Sequence, residues 1–281
     1  MCEFPAISPQ ETSILQGARF FHRMSIYDHP DLYAALFPPD DGLTDDVDVW
    51  IARALGGPPS SVLEVACGRG DWLRRFAARG SRVYGFDLSP VMVDAARINL
   101  SEWGGSVCVA DMRRIVLNED PFDLAINLGG SVGHLSSDLD LEAHLLSMAA
   151  LLRPGGCYLL GLCVEDGVGL DSTLKVLMES DPVRVLEGFA AVRVESVFRD
   201  HTSGVERIRN IVLAKDVTGV PGPFIEEYDL RIFRSKILAE MLARSGFDVL
   251  AAYSLTEHPR SDIGLVPNAG DIALLLRRNS D

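Results

Sequence analysis

The chain has 281 residues, 47% of them hydrophobic, enough for one large α/β domain with a small cap or for two modest domains, the first being favoured. A formal net charge of −14 and a sequence pI near 4.8 oppose accumulation on phosphate backbones and anionic membranes, so a small-molecule partner is expected, with no nucleic acid and no membrane. The longest apolar run, 157–164, is far shorter than the ~20 residues of a membrane helix, and no signal-peptide core follows Met1, so a cytoplasmic location is expected.

Residues 1–25 have no clear period and read as an arm or lid, with Pro5, Pro9 and the aromatic pair Phe20-Phe21. Residues 26–37 read as short helical pieces, broken at Pro30 and ended by Pro38-Pro39. The spacing of Val47, Val49, Ile51 and Leu55 suits a helix over 45–55 that Gly56-Gly57-Pro58-Pro59 breaks. The central unit comes next. An apolar run over 61–66 ends in Cys67-Gly68-Arg69-Gly70, and 71–77 then takes up helical spacing, with Leu73, Phe76 and Ala77 on one face. A side chain at either glycine would hold a ligand off the backbone. Acids flank the unit: Glu64 lies inside the first strand and Asp87 closes the second, 82–87, nineteen residues after Gly68. A second-strand acid about 20 residues past a glycine turn is placed to take both hydroxyls of an adenosine ribose.

Ser89-Pro90 opens a further helix with an N-cap and a first-turn proline, with Met92, Ala96 and Leu100 on its buried side. A third strand, 107–111, ends in Asp111 and is followed by Met112. A fourth strand from Phe122 to Asn127 runs into Leu128-Gly129-Gly130-Ser131-Val132-Gly133-His134-Leu135, a loop at the position where an open α/β sheet brings ligands together. No Asn-Pro-Pro-Tyr turn follows it, which argues against the enzymes that methylate amino groups of flipped DNA bases. Leu141, Leu145, Met148 and Leu152 mark a helix over 137–152, ended by Arg153-Pro154-Gly155-Gly156 before a fifth strand, 157–164.

Residues 165–233 break the strand–helix rhythm. A short polar and helical section precedes three extended runs, 190–198, 205–216 and 224–233, expected as an antiparallel insertion over the substrate mouth. Helical rhythm returns over 235–246. Strands 247–254 and 271–276, joined by a loop alone, should form a hairpin. The five cysteines, Cys2, Cys67, Cys108, Cys157 and Cys163, read as buried thiols and give neither a disulfide framework nor a metal site.

Glu-x-x-x-Gly-x-Gly followed by an acid at the tip of the next strand resembles the cofactor motif of class I S-adenosylmethionine-dependent methyltransferases. The 128–135 loop and the insertion before the last helix are similar to those of glycine N-methyltransferase and of the amino-sugar N,N-dimethyltransferases of natural-product pathways. The resemblance implies a Rossmann-like seven-stranded α/β sheet with its last strand antiparallel, helices on both faces and an antiparallel β cap. It divides the chain into an arm, 1–45, a core, 46–164, a cap, 165–233, and a return to the core, 234–281. It assigns S-adenosylmethionine to Tyr27, Glu64, Ala66, Gly68, Gly70, Asp87, Leu88, Met92, Ala110, Asp111, Met112, Asn127 and Leu128. Asp87 is expected on the ribose, Glu64 and the Gly68–Gly70 backbone at the methionine end, and Asp111 and Met112 beside the adenine. S-Adenosylhomocysteine is the implied product.

Because a sulfonium carries its own leaving group, the protein need supply only alignment and dryness, plus a base if the acceptor arrives protonated. His134 is the candidate base, with Tyr27 as a second catalytic candidate; His134 also reads as a histidine bonded to its own loop. His144 falls within a helix and reads as structural. The implied reaction is methyl transfer to nitrogen, oxygen or carbon of a small molecule in secondary metabolism, with a homodimer left open. Two alternatives stand beside it: a protein that binds S-adenosylmethionine without transferring methyl, and a protein or RNA methyltransferase.

Overall fold

The computed structural model describes residues 24–38, 40–257, 260, 262 and 269–280; the Phe20-Phe21 arm, Cys2 and His258 lie outside them. The helices are α1 (Pro30–Leu36), α2 (Asp41–Leu55), α3 (Asp71–Ala77), α4 (Pro90–Asn99), α5 (Asp138–Leu151) and α6 (Ser235–Arg244). The strands are β1 (Ser61–Val65), β2 (Arg82–Asp87), β3 (Ser106–Val109), β4 (Phe122–Asn127), β5 (Leu152–Glu165), β6 (Leu170–Asp171), β7 (Lys175–Glu179), β8 (Val183–Val185), β9 (Gly188–Asp200), β10 (Val205–Lys215), β11 (Phe224–Arg231), β12 (Phe247–Ser254) and β13 (Ala269–Arg278). The chain divides into two units. Among the described residues, one comprises those within 40–169, 200–205 and 230–280; the other comprises those within 24–38, 170–199 and 206–229.

The larger unit is built on a seven-stranded sheet in the order β12-β13-β5-β4-β1-β2-β3. Strands β1 to β5 run parallel, because each helix-length crossover returns the chain to the same edge, whereas β13 pairs antiparallel with both β12 and β5. The chain moves outward from β1 through β2 to β3 and then crosses back to β4 on the other side. The C-terminal ends of β1 and β4 therefore frame the topological switch point, where open sheets of this kind bind ligands. Central β1 is buried at all five positions, and its side chains divide between two apolar layers. Leu63 and Val65 join Leu141, Leu145 and Met148 of α5 and Leu238, Met241 and Leu242 of α6. Val62 joins Trp50 and Ile51 of α2, Leu73 and Phe76 of α3, and Ala96 of α4. These are the seven strands, the antiparallel last strand and the helical layers on both faces that the resemblance implies.

Several boundaries of this unit differ from the sequence reading. Helix α2 starts at Asp41, because Asp40 caps it by accepting from Leu43 N–H, and Val49 faces outward while Trp50 stacks on Tyr253 at 3.9 Å. Strand β3 ends at Val109, so Asp111 follows the strand and does not close it. Strand β5 begins at Leu152, which pairs with Phe122, and a register shift before Leu124↔Cys157 absorbs the Arg153–Gly156 turn within the strand. Strand β13 extends to 269–278, longer than the expected 271–276.

The second unit carries a six-stranded sheet with β11-β10-β9-β6 in order and β7 and β8 also on β9. Its three long strands match the three extended runs of the sequence. The section expected to be helical before them is instead β6, β7 and β8: pairing with β9, Lys175↔Ser196 to Glu179↔Arg193 and Val183↔Ala190 to Val185↔Gly188, overrides the local helical tendency of that stretch. Ser25 and Asp28 form a capping box around the 3-10 turn Ile26–Asp28, and Pro30 sits in the first turn of α1. Ile26, Leu32 and Leu36 pack with Val185, Val192, Val212 and Phe224 to form this unit's core.

Candidate active site

The turn after β1 is shaped by its backbone. Ala66 takes φ +50°, unusual for a residue with a Cβ, and Gly68 and Gly70 take +51° and +70°. Gly70 stands at the N-cap of α3 and offers no side chain to satisfy the first-turn amides. Glu64 does this from inside β1, accepting from Leu73 N–H at 3.2 Å. Asp87, at the end of β2, accepts from Gly68 N–H and from Ser89 N–H, each at 2.8 Å, and Ala110 N–H donates to the Asp87 carbonyl at 3.0 Å. Each carboxylate oxygen of Asp87 has a lone pair left for a ligand hydroxyl. A Cβ added to Gly68 would meet nothing within 4 Å, so this backbone faces open space beside Asp87.

The electrostatics of this turn favour a cation. Burial pushes the Glu64 carboxyl well above the usual carboxylate range; the Leu73 amide opposes that, and the charges of Asp71 and Asp87 add to it. Asp71 itself is fixed by Asn99 Nδ2 at 3.1 Å, and the same nitrogen reaches the Arg69 carbonyl at 3.1 Å. A positive group placed among these carboxylates would relieve their repulsion and favour ionised Glu64.

The other expected residues differ in exposure and surroundings. Met92 is buried in α4, Ala110 and Met112 are half-buried, and Leu88 is 70% exposed. The Asp111 carboxylate is engaged by Arg113 through its main-chain N–H and guanidinium, and the guanidinium holds its pKa below the usual range. Asn127 is buried beside the Tyr158 hydroxyl, yet neither its amide nitrogen nor its oxygen completes a hydrogen bond. Leu128 crosses so close to β5 that a Cβ at Gly161 would lie 2.6 Å from the Leu128 carbonyl oxygen. His134 ends the 3-10 turn Ser131–His134 with its side chain exposed. Tyr27 belongs to the other unit, where its ring lies 5.6 Å from Tyr33.

A profile described as a methyltransferase domain matches residues 62–156, the stretch from β1 into β5. That stretch of the chain is thus similar to a methyltransferase domain. Over 142 residues the chain is 32% identical to the dTDP-4-amino-2,3,4,6-tetradeoxy-D-glucose N,N-dimethyltransferase of Saccharopolyspora spinosa, covering 49% of this chain and 56% of that protein. Over 132 residues it is 31% identical to the dTDP-3-amino-3,4,6-trideoxy-alpha-D-glucopyranose N,N-dimethyltransferase of Streptomyces venezuelae, covering 46% and 54%. The chain thus spans about half the length of the curated relatives it matches. Among solved structures it is similar in fold to the sugar N-methyltransferase KedS8 from Streptoalloteichus, with TM-score 0.72, 23% identity and coverage of 94% and 98%. The S-adenosylmethionine-bound amino pentose methyltransferase CalS10 from Micromonospora echinaspora is also similar, with TM-score 0.69, 22% identity and coverage of 93% and 100%.

The site residues suit the chemistry of S-adenosylmethionine, the cofactor that the resemblance implies. The carboxylate of Asp87 suits a ribose diol, open Gly68 admits close backbone approach, the acidic surround of Glu64 suits ammonium and sulfonium, and Asn127 keeps amide groups to spare. Sequence reasoning missed Ser89 N–H, Asn99 and the His144–Tyr158 pair; polar atoms at buried-face positions of α5 and β5 were the available signal for the last. Among the described residues no group of three or more His, Cys, Asp or Glu could hold a metal, and no helix is long and apolar enough to cross a membrane. Cys67 and Cys157 are buried, Cys108 and Cys163 are half-buried, and all four are free thiols.

Proposed function

We propose that the protein transfers a methyl group from S-adenosylmethionine to an amino nitrogen of a small molecule, with an amino-deoxysugar as the acceptor class. The observation that carries this reading is the cradle of Glu64, Gly68 and Asp87 at the switch point of a methyltransferase domain. The amino-sugar dimethyltransferases among its relatives support nitrogen as the acceptor atom.

When bound, the cofactor supplies a methyl carbon on a sulfonium. Asp87 holds the ribose hydroxyls. Glu64 and the backbone from Gly68 to Gly70 steady the methionine end, with Ala66 giving the turn its shape. Leu88, Met92 and Ala110 line the nucleoside, Asp111 and Met112 meet the adenine, and Asn127 and Leu128 close the side next to the acceptor. An alkyl amine is protonated near neutral pH and must shed that proton before its lone pair can attack. His134 takes the proton on a ring nitrogen.

The test supplies the full chain with S-adenosylmethionine and a dTDP-amino-deoxyhexose, then follows S-adenosylhomocysteine release and the mass of the sugar. One or two methyl additions on nitrogen, matched by S-adenosylhomocysteine, are expected. Cofactor binding without transfer to any amine, or transfer to a hydroxyl alone, would overturn the reading.

A further inference from the structure

The larger unit also holds a buried polar chain that the reaction above does not use. His144, on α5, and Tyr158, on β5, are both completely buried. His144 Nδ1 lies 2.9 Å from the Met112 carbonyl oxygen, and Nε2 lies 2.8 Å from the Tyr158 hydroxyl. A carbonyl can only accept, so Nδ1 carries the ring proton. Burial keeps the imidazole neutral, lowering its pKa to about 4 against the opposing effect of the Met112 bond. Nε2 therefore accepts and Tyr158 donates, leaving Tyr158 only acceptor capacity for the neighbouring Asn127 amide.

Burying an imidazole and a phenol in an apolar layer brings no packing gain that Leu and Phe would not give. What the pair provides is direction. The segment after β3 has no helix or strand from Ala110 to Pro121, and its Met112 carbonyl is held from the α5 side by His144. Tyr158 fixes the ring in turn, from a strand that is itself paired on both edges.

We propose that His144 is a positioning residue for the adenine end of the cofactor: through its Nδ1–H it sets the Met112 carbonyl, and with it residues 111–112, against the rigid centre of the sheet. The inference rests on the cofactor reading above, which makes those two residues the adenine contact.

Two substitutions separate direction from packing. The amide of His144→Asn falls near the position of Nδ1 and can still donate to Met112; that of His144→Gln reaches toward Tyr158 and cannot. With S-adenosylhomocysteine as the calorimetric probe, His144→Asn should stay within about threefold of the parent and His144→Gln should lose about tenfold, the worth of one hydrogen bond. S-Inosylhomocysteine, which lacks the exocyclic amine of adenine, should lose less than S-adenosylhomocysteine in His144→Gln. Equal affinities in the two variants, whether kept or lost together, would reduce His144 to a packing residue.

A measurement on the parent protein stands independently of how the variants fold. Nitrogen-15 spectra should show His144 as the Nδ1–H tautomer with no titration from pH 5.5 to 8. An Nε2–H ring, or a titration near neutrality, would overturn the proposal. Failure of the parent to bind S-adenosylhomocysteine would sink the cofactor reading instead, whatever tautomer His144 shows.

Discussion

The turn after β1 and the loop after β4 stand at the same end of one sheet but are held by different means. In the first, main-chain amides do the work: Gly68 and Ser89 N–H grip Asp87, Leu73 N–H grips Glu64, and Cys67 N–H bonds the Phe86 carbonyl at 2.9 Å. In the second, Asn127 is left with an unsatisfied amide, Leu128 is located by its contact with Gly161, and His134 ends a single 3-10 turn with its side chain exposed. A site fixed by amides survives changes in neighbouring side chains, whereas one fixed by side-chain packing changes with each of them.

The comparison is broken most severely at His134. His134→Ala should lower turnover by ~10²–10⁴ while leaving S-adenosylhomocysteine affinity nearly unchanged, and His134→Gln should behave alike. Rates from pH 6 to 9 check this, since the ionisation carried by the base should vanish from the profile. Full activity in both variants would leave His134 a structural loop residue.

On the cofactor side the largest effect belongs to Asp87. Removing its carboxylate frees the Gly68 and Ser89 amides together with the ribose hydroxyls, so Asp87→Ala should weaken S-adenosylmethionine binding by about 2–4 kcal/mol. Calorimetry reads this directly, and unchanged affinity would remove Asp87 from the site.

Gly161→Ala attacks the loop from beneath. Its Cβ would sit 2.6 Å from the Leu128 carbonyl oxygen and 3.0 Å from the carbonyl carbon, main-chain atoms that cannot swing aside. A loss of about 1–3 kcal/mol in unfolding free energy is expected, with S-adenosylhomocysteine affinity falling alongside it. Denaturant titration beside calorimetry checks both.

The smallest effect is expected at Glu64, where it is a matter of pH. Its carboxyl pKa is raised in the folded protein, first by burial and then by Asp71 and Asp87. The folded state therefore keeps this proton longer than the unfolded chain, and the Glu64 contribution to stability declines as pH rises from the ordinary carboxylate range through the raised value. A cationic ligand prefers the ionised form, so S-adenosylmethionine affinity should climb across the same window with release of a proton. Glu64→Gln should flatten both slopes, with a change on the order of 1 kcal/mol in binding. Calorimetry in buffers of different ionisation enthalpy counts the proton, and an unaltered count in Glu64→Gln would rule out Glu64 as its source.

Much of this was open to reading in the chain itself. Ser61 to Val65, the glycines after it and the helical spacing from Asp71 fixed strand, turn and helix, because in this stretch local pattern and tertiary environment ask for the same conformation. The same agreement made Ser89-Pro90 legible as a helix start and joined the last two strands into a hairpin, since a loop alone allows only antiparallel neighbours. Glu64 and Asp87 stood out because an acid within or at the end of an apolar run needs a partner. What the sequence could not decide was every feature that depends on contact between distant residues. The 170–187 stretch had a helical local tendency and became three strands, because β9 offered a ladder that no local pattern announces. The Arg153–Gly156 turn lies inside β5 because Leu152 meets Phe122, thirty residues away. His144 looked like one more residue of a helix, and only the fold brings its two ring nitrogens to the Met112 carbonyl, 32 residues before it, and the Tyr158 hydroxyl, 14 residues after it. Periodicity records which face of an element is buried, whereas hydrogen-bond partners across the core are chosen by tertiary packing.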